Sequence, residues 1–247
     1  MGFSPKDVER YARHLVLSEI GGPGQQKLAA STVAVVGAGG VGSPAALYLA
    51  AAGVGTLRLI DPDTVSLSNL QRQVLFDTAD IGRTKVEIAE RRLAALNPGV
   101  HIEAVAEALT AETAARLIAG ADVVLDGTDD FGVRHAVNAA CVASRIPLVS
   151  GALGRWSGQV GVFAGQPCYR CLVPDLPPDA ETCARVGVVG ALAGVIGSMA
   201  ALETIKLITG AGEPLNGRLL LYDGLSATSR TVGIAADPDC PTCAVQV

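Results

Sequence analysis

The chain has 247 residues, room for one large domain or two small ones, and its 24 acidic against 19 basic side chains give a net charge of −5. That balance excludes a nucleic-acid binder relying on a basic face. Hydrophobic residues at 49% against 17% charged allow a sizeable core.

Met1 to Ala12 carries Lys6, Asp7, Glu9 and Arg10 and no apolar run, so no signal peptide is expected and the expected location is cytoplasmic. Ser4–Pro5 opens a helix predicted over Ser4 to Ser18, with Val8, Tyr11 and Leu15 as its apolar positions. Gly21-Gly22-Pro23-Gly24 is expected to break it, before a short helix from Gln25 to Ala30.

Thr32 to Asp63 then reads as strand, glycine turn, helix, strand, acid. Val33 to Val36 is an apolar β-branched run, Pro44 to Ala52 an alanine-rich helix, and Leu57 to Ile60 a second strand ending on Asp61. Between them Gly37, Gly39 and Gly42 fall in the G-x-G-x-x-G spacing. The first glycine allows a tight turn, the second lets backbone approach a phosphate, and the third lets helix pack on strand. Free N–H groups and the positive end of the helix dipole then face an anion. Asp61 stands where such turns place a carboxylate for ribose hydroxyls. By itself this stretch indicates a nucleotide and leaves NAD and ATP both open.

Thr64 to Phe76 is polar and irregular. Beyond it come a helix over Gly82 to Leu96, a strand over His101 to Ala106, a helix over Ala111 to Ala119, and a strand over Asp122 to Leu125. A helix over Phe131 to Ser144 and a strand over Pro147 to Ser150 follow. The alternation predicts an α/β fold, Rossmann-like, with a mostly parallel sheet and helices on both faces. Past Gly151 the pattern changes to a C-terminal mixed or antiparallel elaboration: strands at Gln159 to Phe163, Leu219 to Tyr222 and Ser229 to Ile234, and a proline-containing loop from Cys168 to Cys183. Val186 to Ile208 is apolar and glycine-rich, lacks basic flanks and ends on Glu203 and Lys206, which favours a buried core or interface helix over a membrane span. No clean linker divides the chain, so residues 1–247 are expected to form one domain: N-terminal helices over 1–30, a nucleotide-binding core over 31–150 and the elaboration over 151–247.

Cys168-Tyr-Arg-Cys171 and Cys240-Pro-Thr-Cys243 supply four thiols in two C-x-x-C clips. Four thiolates match a closed tetrahedral Zn²⁺ site, and a closed site is structural. Such a site would tie the C-terminus back to the loop at Cys168. Cys141, mid-helix among alanines, reads as a small buried hydrophobe. Cys183 sits in the proline-flanked loop beside Arg185, which would favour its thiolate; an unreactive loop thiol is the alternative.

The cations decide between nucleotides. Arg10 and Arg13 near the N-terminus, Arg72 in Asn69-Leu70-Gln71-Arg72-Gln73, and Lys85 at the head of a helix are more positive charge than a dinucleotide needs. They suit a triphosphate, whose charge must be neutralised during transfer. Asp129 follows an apolar strand, on the sheet edge where such folds bind ligands, and a carboxylate there can hold Mg²⁺. Asp63, Asp126 and Asp130 are ambiguous, and the last two can serve as helix caps.

Arg10-Tyr-Ala-Arg13, GAGGVG, Asp61-Pro-Asp63, SNLQRQ, Gly82-Arg-Thr-Lys85, Asp126-Gly-Thr-Asp129 and the two cysteine clips occur in this order. With them the chain resembles, over essentially its whole length, the MoeB/ThiF (HesA) family, bacterial relatives of ubiquitin-activating enzymes. The resemblance implies ATP and Mg²⁺ as cofactors and, as partner, a small ubiquitin-like sulfur-carrier protein of the MoaD or ThiS type with a C-terminal Gly-Gly. The carrier's tail carboxylate would attack the α-phosphate, and a sulfur donor protein would then attack the acyl-adenylate. It places Gly39, Gly40 and Gly42 in the nucleotide turn, Asp61 at the ribose, Asn69, Arg72 and Lys85 at the phosphates, and Asp129 at Mg²⁺. It implies a homodimer in which Arg13 reaches the neighbouring subunit's site, and it matches Cys183 to a thioester or sulfur-relay thiol. Pro174 to Arg185 is the candidate strap over the carrier's tail. Asp130 departs from the family's commoner asparagine and adds negative charge near the metal. Adenylation of another substrate, a peptide or a tRNA base, stays compatible with these motifs. An NAD-binding oxidoreductase or a nucleotide sensor is the alternative from another class.

Overall fold

The computed structural model describes residues 3–175 and 187–244. Eight strands form one sheet in the order β3-β2-β1-β4-β5-β6-β7-β8. They are β1 (Thr32–Val36), β2 (Thr56–Ile60), β3 (His101–Val105), β4 (Val123–Asp126), β5 (Leu148–Gly154), β6 (Ser157–Phe163), β7 (Arg218–Asp223) and β8 (Thr228–Gly233). From β3 to β5 all pairings are parallel, and from β5 to β8 all are antiparallel. The central strands of the parallel half are buried, as two-sided coverage requires: β1 and β4 contain no exposed residue, whereas the edge strand β3 exposes His101 and Ala104. β8 is the opposite case, with all six residues exposed.

Nine α-helices lie among the described residues: α1 (Pro5–Arg10), α2 (Ala12–Leu15), α3 (Gly21–Ala30), α4 (Gly42–Ala52), α5 (Lys85–Leu96), α6 (Ala114–Leu117), α7 (Phe131–Ser144), α8 (Tyr169–Leu172) and α9 (Gly190–Thr209). They cover both faces. Leu28, Leu49, Ile88, Leu93 and Ile196 fill one core with Val33, Val35, Leu57 and Leu59 from the sheet. Leu117, Ile118, Val137 and Cys141 fill the other with Ala34, Val36 and Val124.

Two sequence expectations are corrected near the N-terminus. The single helix over Ser4 to Ser18 is two, because Tyr11 leaves the helical region to bury its ring. The Tyr11 hydroxyl accepts from Asn97 Nδ2 at 2.9 Å, and a Cβ on Gly53 would stand 2.5 Å from the ring, so glycine there makes its room. The run Gly21-Gly22-Pro23-Gly24 does not break a helix but opens α3. Proline is tolerated in a first turn, where its missing N–H has no partner to lose.

Further boundaries shift for local reasons. The helix expected from Gly82 starts at Lys85, since Gly82 adopts φ +86°. β5 runs on to Gly154 and pairs with β6 in a hairpin. Within the Cys168 loop, Tyr169–Leu172 closes one helical turn. α9 is long and apolar enough to cross a membrane, yet it packs against α3, α4, β5 and β6. Gly197 makes that packing possible, since a Cβ there would lie 2.4 Å from Pro44 Cγ and 2.5 Å from the Val41 carbonyl.

Candidate active site

The carboxyl ends of β1, β2, β4 and β5 open on a cavity of about 410 Å³. Gly37, Gly39, Gly40, Asp61, Asn69, Arg72, Lys85 and Asp129 all line it. These residues come from separate loops along the chain, and the parallel strands bring them to one edge.

The glycine turn has a specific geometry. Gly37 turns at φ +84°, against Thr128. Gly42 lies beneath the cavity, and a Cβ on it would fall 1.8 Å from the Gly37 carbonyl oxygen. The turn folds tightly back on the start of α4 only because that position is glycine. At Gly39 a Cβ would meet nothing nearer than Gln73 Nε2 at 3.7 Å, so its cavity side is open.

Asp61 is buried and bound twice to backbone: Oδ2 accepts from the Ala38 N–H at 2.8 Å and Oδ1 from the Asp63 N–H at 2.9 Å. It therefore also fixes the turn. Lys85 Nζ donates to Asp63 Oδ2 at 2.8 Å and lies 3.5 Å from Asp61 Oδ2. Asp63, ambiguous in the sequence, is thus the partner of Lys85. Arg72 is half-buried; it donates from Nη1 to the Ser68 carbonyl at 3.0 Å and packs along Gly40. Asp129 is exposed at the cavity rim. Asp130 caps α7, with Oδ1 accepting from the Val133 N–H at 2.9 Å. Asp126 is no cap. Its Oδ1 accepts from the Thr128 N–H and hydroxyl at 2.9 and 2.7 Å.

Arg10 and Arg13 do not join this cavity. Arg10 donates to the Leu96 carbonyl at 3.0 Å, and Arg13 is exposed on α2. Cys183, and residues 176–186 of the loop containing it, lie outside the described residues.

Among the polar residues that line the cavity, Gln73, Arg134 and Tyr169 were not expected from the sequence. Gln73 and Arg134 are 4% and 3% exposed, so both belong to the site's framework. A signal for Arg134 existed. It falls on one helical stripe of α7 with Val137, Asn138 and Cys141, all of them buried. Tyr169 is also buried, which raises its phenol pKa.

The two cysteine clips meet. Cys168 and Cys240 Sγ are 3.7 Å apart, Cys171 and Cys243 Sγ 3.5 Å, and all four lie within 4.8 Å of one another. Zn–S bonds of about 2.3 Å put tetrahedral sulfurs roughly 3.8 Å apart, so the cluster fits a closed four-thiolate centre. Asn138 Nδ2 donates to Cys168 Sγ at 3.4 Å, and the Asp237 N–H to Cys171 Sγ at 3.5 Å. Such donors favour thiolates and orient them. Burial pushes the Cys240 thiol up, but N–H groups of Cys243 and Thr242 outweigh it and bring it to about 7. Cys141 is buried and its thiol is pushed well up by burial, as a small hydrophobe's would be.

A second hollow, about 750 Å³, lies over β5 to β8 and is lined by Gly158, Leu221, Tyr222 and Arg230 among others. Ala152, Leu153 and Gln159 line both hollows, so the two adjoin there.

Residues 11–242 match the model of the ThiF family. The sulfur carrier protein ThiS adenylyltransferase of Escherichia coli (strain K12) is 46% identical over 96% of this chain and 96% of its own length. The molybdopterin-synthase adenylyltransferase of the same organism is 45% identical over 97% of this chain and 98% of its own. Among solved structures, Escherichia coli MccB with MccA-N7isoAsn superposes with a TM-score of 0.85 at 24% identity, covering 98% of this chain and 75% of that one, a likeness of fold.

Proposed function

The chain belongs to the ThiF family, and we propose that it uses ATP to adenylate the C-terminal Gly-Gly carboxylate of a small ubiquitin-like sulfur-carrier protein. It is an adenylyltransferase, and pyrophosphate is the other product. One observation carries the reading of the site: a glycine turn, Asn69, two cations and a rim carboxylate, from separate loops, converge on one cavity.

A carrier carboxylate oxygen attacks the α-phosphorus, the bond to the bridging oxygen breaks, and pyrophosphate leaves. The attacking carboxylate is already ionised at neutral pH, so no general base is required. The difficulty is charge, because two anions must approach. The turn's N–H groups at Gly39 and Gly40 and the side chains of Asn69 and Arg72 hold the phosphates in place. Lys85 transfers its ammonium from Asp63 to phosphate oxygens, and Asp61 takes the ribose. Asp129 would hold Mg²⁺, an oxygen-seeking cation that supplies further neutralisation of the polyphosphate.

The carrier's body sits over the hollow on β5 to β8, and its tail enters past Ala152, Leu153 and Gln159. Residues 151–247 form the carrier-binding and zinc elaboration of a single domain, and residues 176–185 of the Pro174 to Arg185 segment expected to cover that tail lie outside the described residues. Cys168, Cys171, Cys240 and Cys243 would hold a structural Zn²⁺ that fixes the C-terminus. A homodimer fits the surface. Tyr48 and Leu202, on the mutually packed α4 and α9, are 58% and 59% exposed, and exposed Arg13 is available to a neighbouring subunit's site. A sulfur donor protein in the cytoplasm consumes the acyl-adenylate with release of AMP, and Cys183 is the candidate thiol, forming a thioester by displacing AMP or a persulfide by accepting sulfane sulfur from the donor's own persulfide.

The test is ATP–pyrophosphate exchange with a carrier ending in Gly-Gly. Exchange should require the carrier and fall about 10²-fold or more in Arg72→Ala and in Asp129→Ala. Wild-type exchange in either variant would overturn the role given to that residue.

A further inference from the structure

Arg134 stands on the first turn of α7, is 3% exposed, and lies beneath the turn that carries Asp129. Its guanidinium donates to three acceptors on two segments. Nη1 donates to Ser150 Oγ at 2.9 Å, Nη2 to the Gly151 carbonyl at 2.7 Å, and Nη2 also to the Thr128 carbonyl. Thr128 is the residue immediately before Asp129. Ser150 and Gly151 belong to β5, so one side chain ties that turn to the neighbouring strand.

The charge is placed with equal care. Asp126 Oδ2 is fully buried and has no hydrogen-bond partner, and Arg134 Nη1 lies 4.0 Å from it. The Asp126 carboxylate thus fixes the turn through Oδ1 and faces the guanidinium through Oδ2. The Tyr169 ring lies 5.9 Å from the guanidinium carbon and closes the other side. A planar fork with several fixed donors can satisfy these acceptors together, and an ammonium on a flexible stem cannot.

We propose that Arg134 is a positioning residue for adenylation: it sets the place of Asp129, and so the metal-bound polyphosphate, without touching the substrate. This rests on the assignment of Asp129 to Mg²⁺ made above. It follows that geometry at Arg134, not its charge alone, governs the Mg²⁺ requirement.

The test compares Arg134→Lys and Ser150→Ala with wild type in the full-length protein. The first keeps the charge. The second removes one acceptor and leaves Arg134 in place, so a result survives if the first fails to fold. Two readouts are taken: hydrogen–deuterium exchange of the peptide spanning residues 127–131, and the Mg²⁺ concentration giving half-maximal carrier-dependent exchange at saturating ATP. The expected result is faster deuterium uptake in that peptide with β1 and β2 unchanged, and a Mg²⁺ midpoint raised about 10- to 100-fold in Arg134→Lys, the range for loss of an outer-shell partner. Ser150→Ala should move both in the same direction by less. A uniform loss of kcat with the wild-type Mg²⁺ midpoint, or unchanged deuterium uptake at residues 127–131, overturns the proposal. Asp129→Asn separates the two layers. If it leaves the Mg²⁺ midpoint unchanged, the metal role of Asp129 fails, whereas deuterium uptake in Arg134→Lys still decides the positioning role.

Discussion

Replacing Gly42 by alanine should damage the fold, whereas replacing Gly39 should damage only the ligand site. At Gly42 the added Cβ would lie 1.8 Å from the Gly37 carbonyl oxygen and 3.0 Å from its carbon, while ordinary contact begins at 3.4 Å. The turn would have to open by about 1.6 Å, and the atoms in the way are backbone, which cannot swing aside. Overpacking of this kind costs about 1–3 kcal/mol. In a chain of this length each kcal/mol lowers Tm by roughly 2–4 °C. A displacement above about 1 Å beneath a reacting phosphate also lowers the rate on the order of 10²-fold. At Gly39 the nearest atom to an added Cβ is the end of the Gln73 side chain at 3.7 Å, an ordinary contact. Gly39→Ala should therefore melt with wild type and still weaken ATP, since its methyl group occupies the surface a phosphate would approach. The assays are thermal unfolding and ATP titration calorimetry on both variants. A Gly42→Ala protein with wild-type Tm and ATP affinity would refute the tight-turn argument. A Gly39→Ala protein with wild-type ATP affinity would refute the assignment of that backbone to phosphate.

Metal analysis of the purified protein should find one zinc per chain, and Cys240→Ser should lose it, because a closed four-thiolate site does not survive removal of one ligand. Zinc retained in full by that variant would count against the cluster. Metal affinity should fall with acid, since protons compete for the thiolates, and chelator release followed from pH 8 to 5 would show it. Half-buried His135 donates from Nε2 to the Val173 carbonyl at 2.9 Å, and burial lowers its pKa from 6.5. The unfolded chain then binds more protons than the folded one below pH 6.5, so the stability from this group is full above that pH and is lost as pH falls through the folded value. His135→Gln should flatten this part of the curve of Tm against pH; an unchanged slope would show that other groups set it.

What could be read from the chain alone was whatever depends on local spacing. Gly37, Gly39, Gly42 and the late acid Asp61 announced the turn, because Gly37 and Gly42 answer short-range steric demands and Gly39 keeps the spacing of the motif. β1 announced itself as an apolar β-branched run and β3 by its alternation, and the two cysteine clips as paired ligands. Tertiary partners hid the rest. Nothing near Tyr11 predicts that Asn97 and Gly53 will hold its ring and split the first helix. The glycine–proline run at Gly21 reads as a break until Gly24 is seen packed on Ile20 and Thr209 beside α9. Lys85 was legible as a cation, but its pairing with Asp63 was not, because the chain between them has to loop back first. Arg134 was overlooked because a charge in a helix is usually solvated, although its place on the stripe of Val137, Asn138 and Cys141 pointed inward.

The chemistry proposed for this site ends at the carrier's tail. Incubation of the protein with ATP, Mg²⁺ and a carrier ending in Gly-Gly, quenched with hydroxylamine and read by mass spectrometry, tests it in one step. The predicted result is a hydroxamate on the carrier's terminal glycine that needs ATP and is lost in Arg72→Ala. Consumption of ATP with an unmodified tail, or tighter binding of NAD than of ATP, would contradict it.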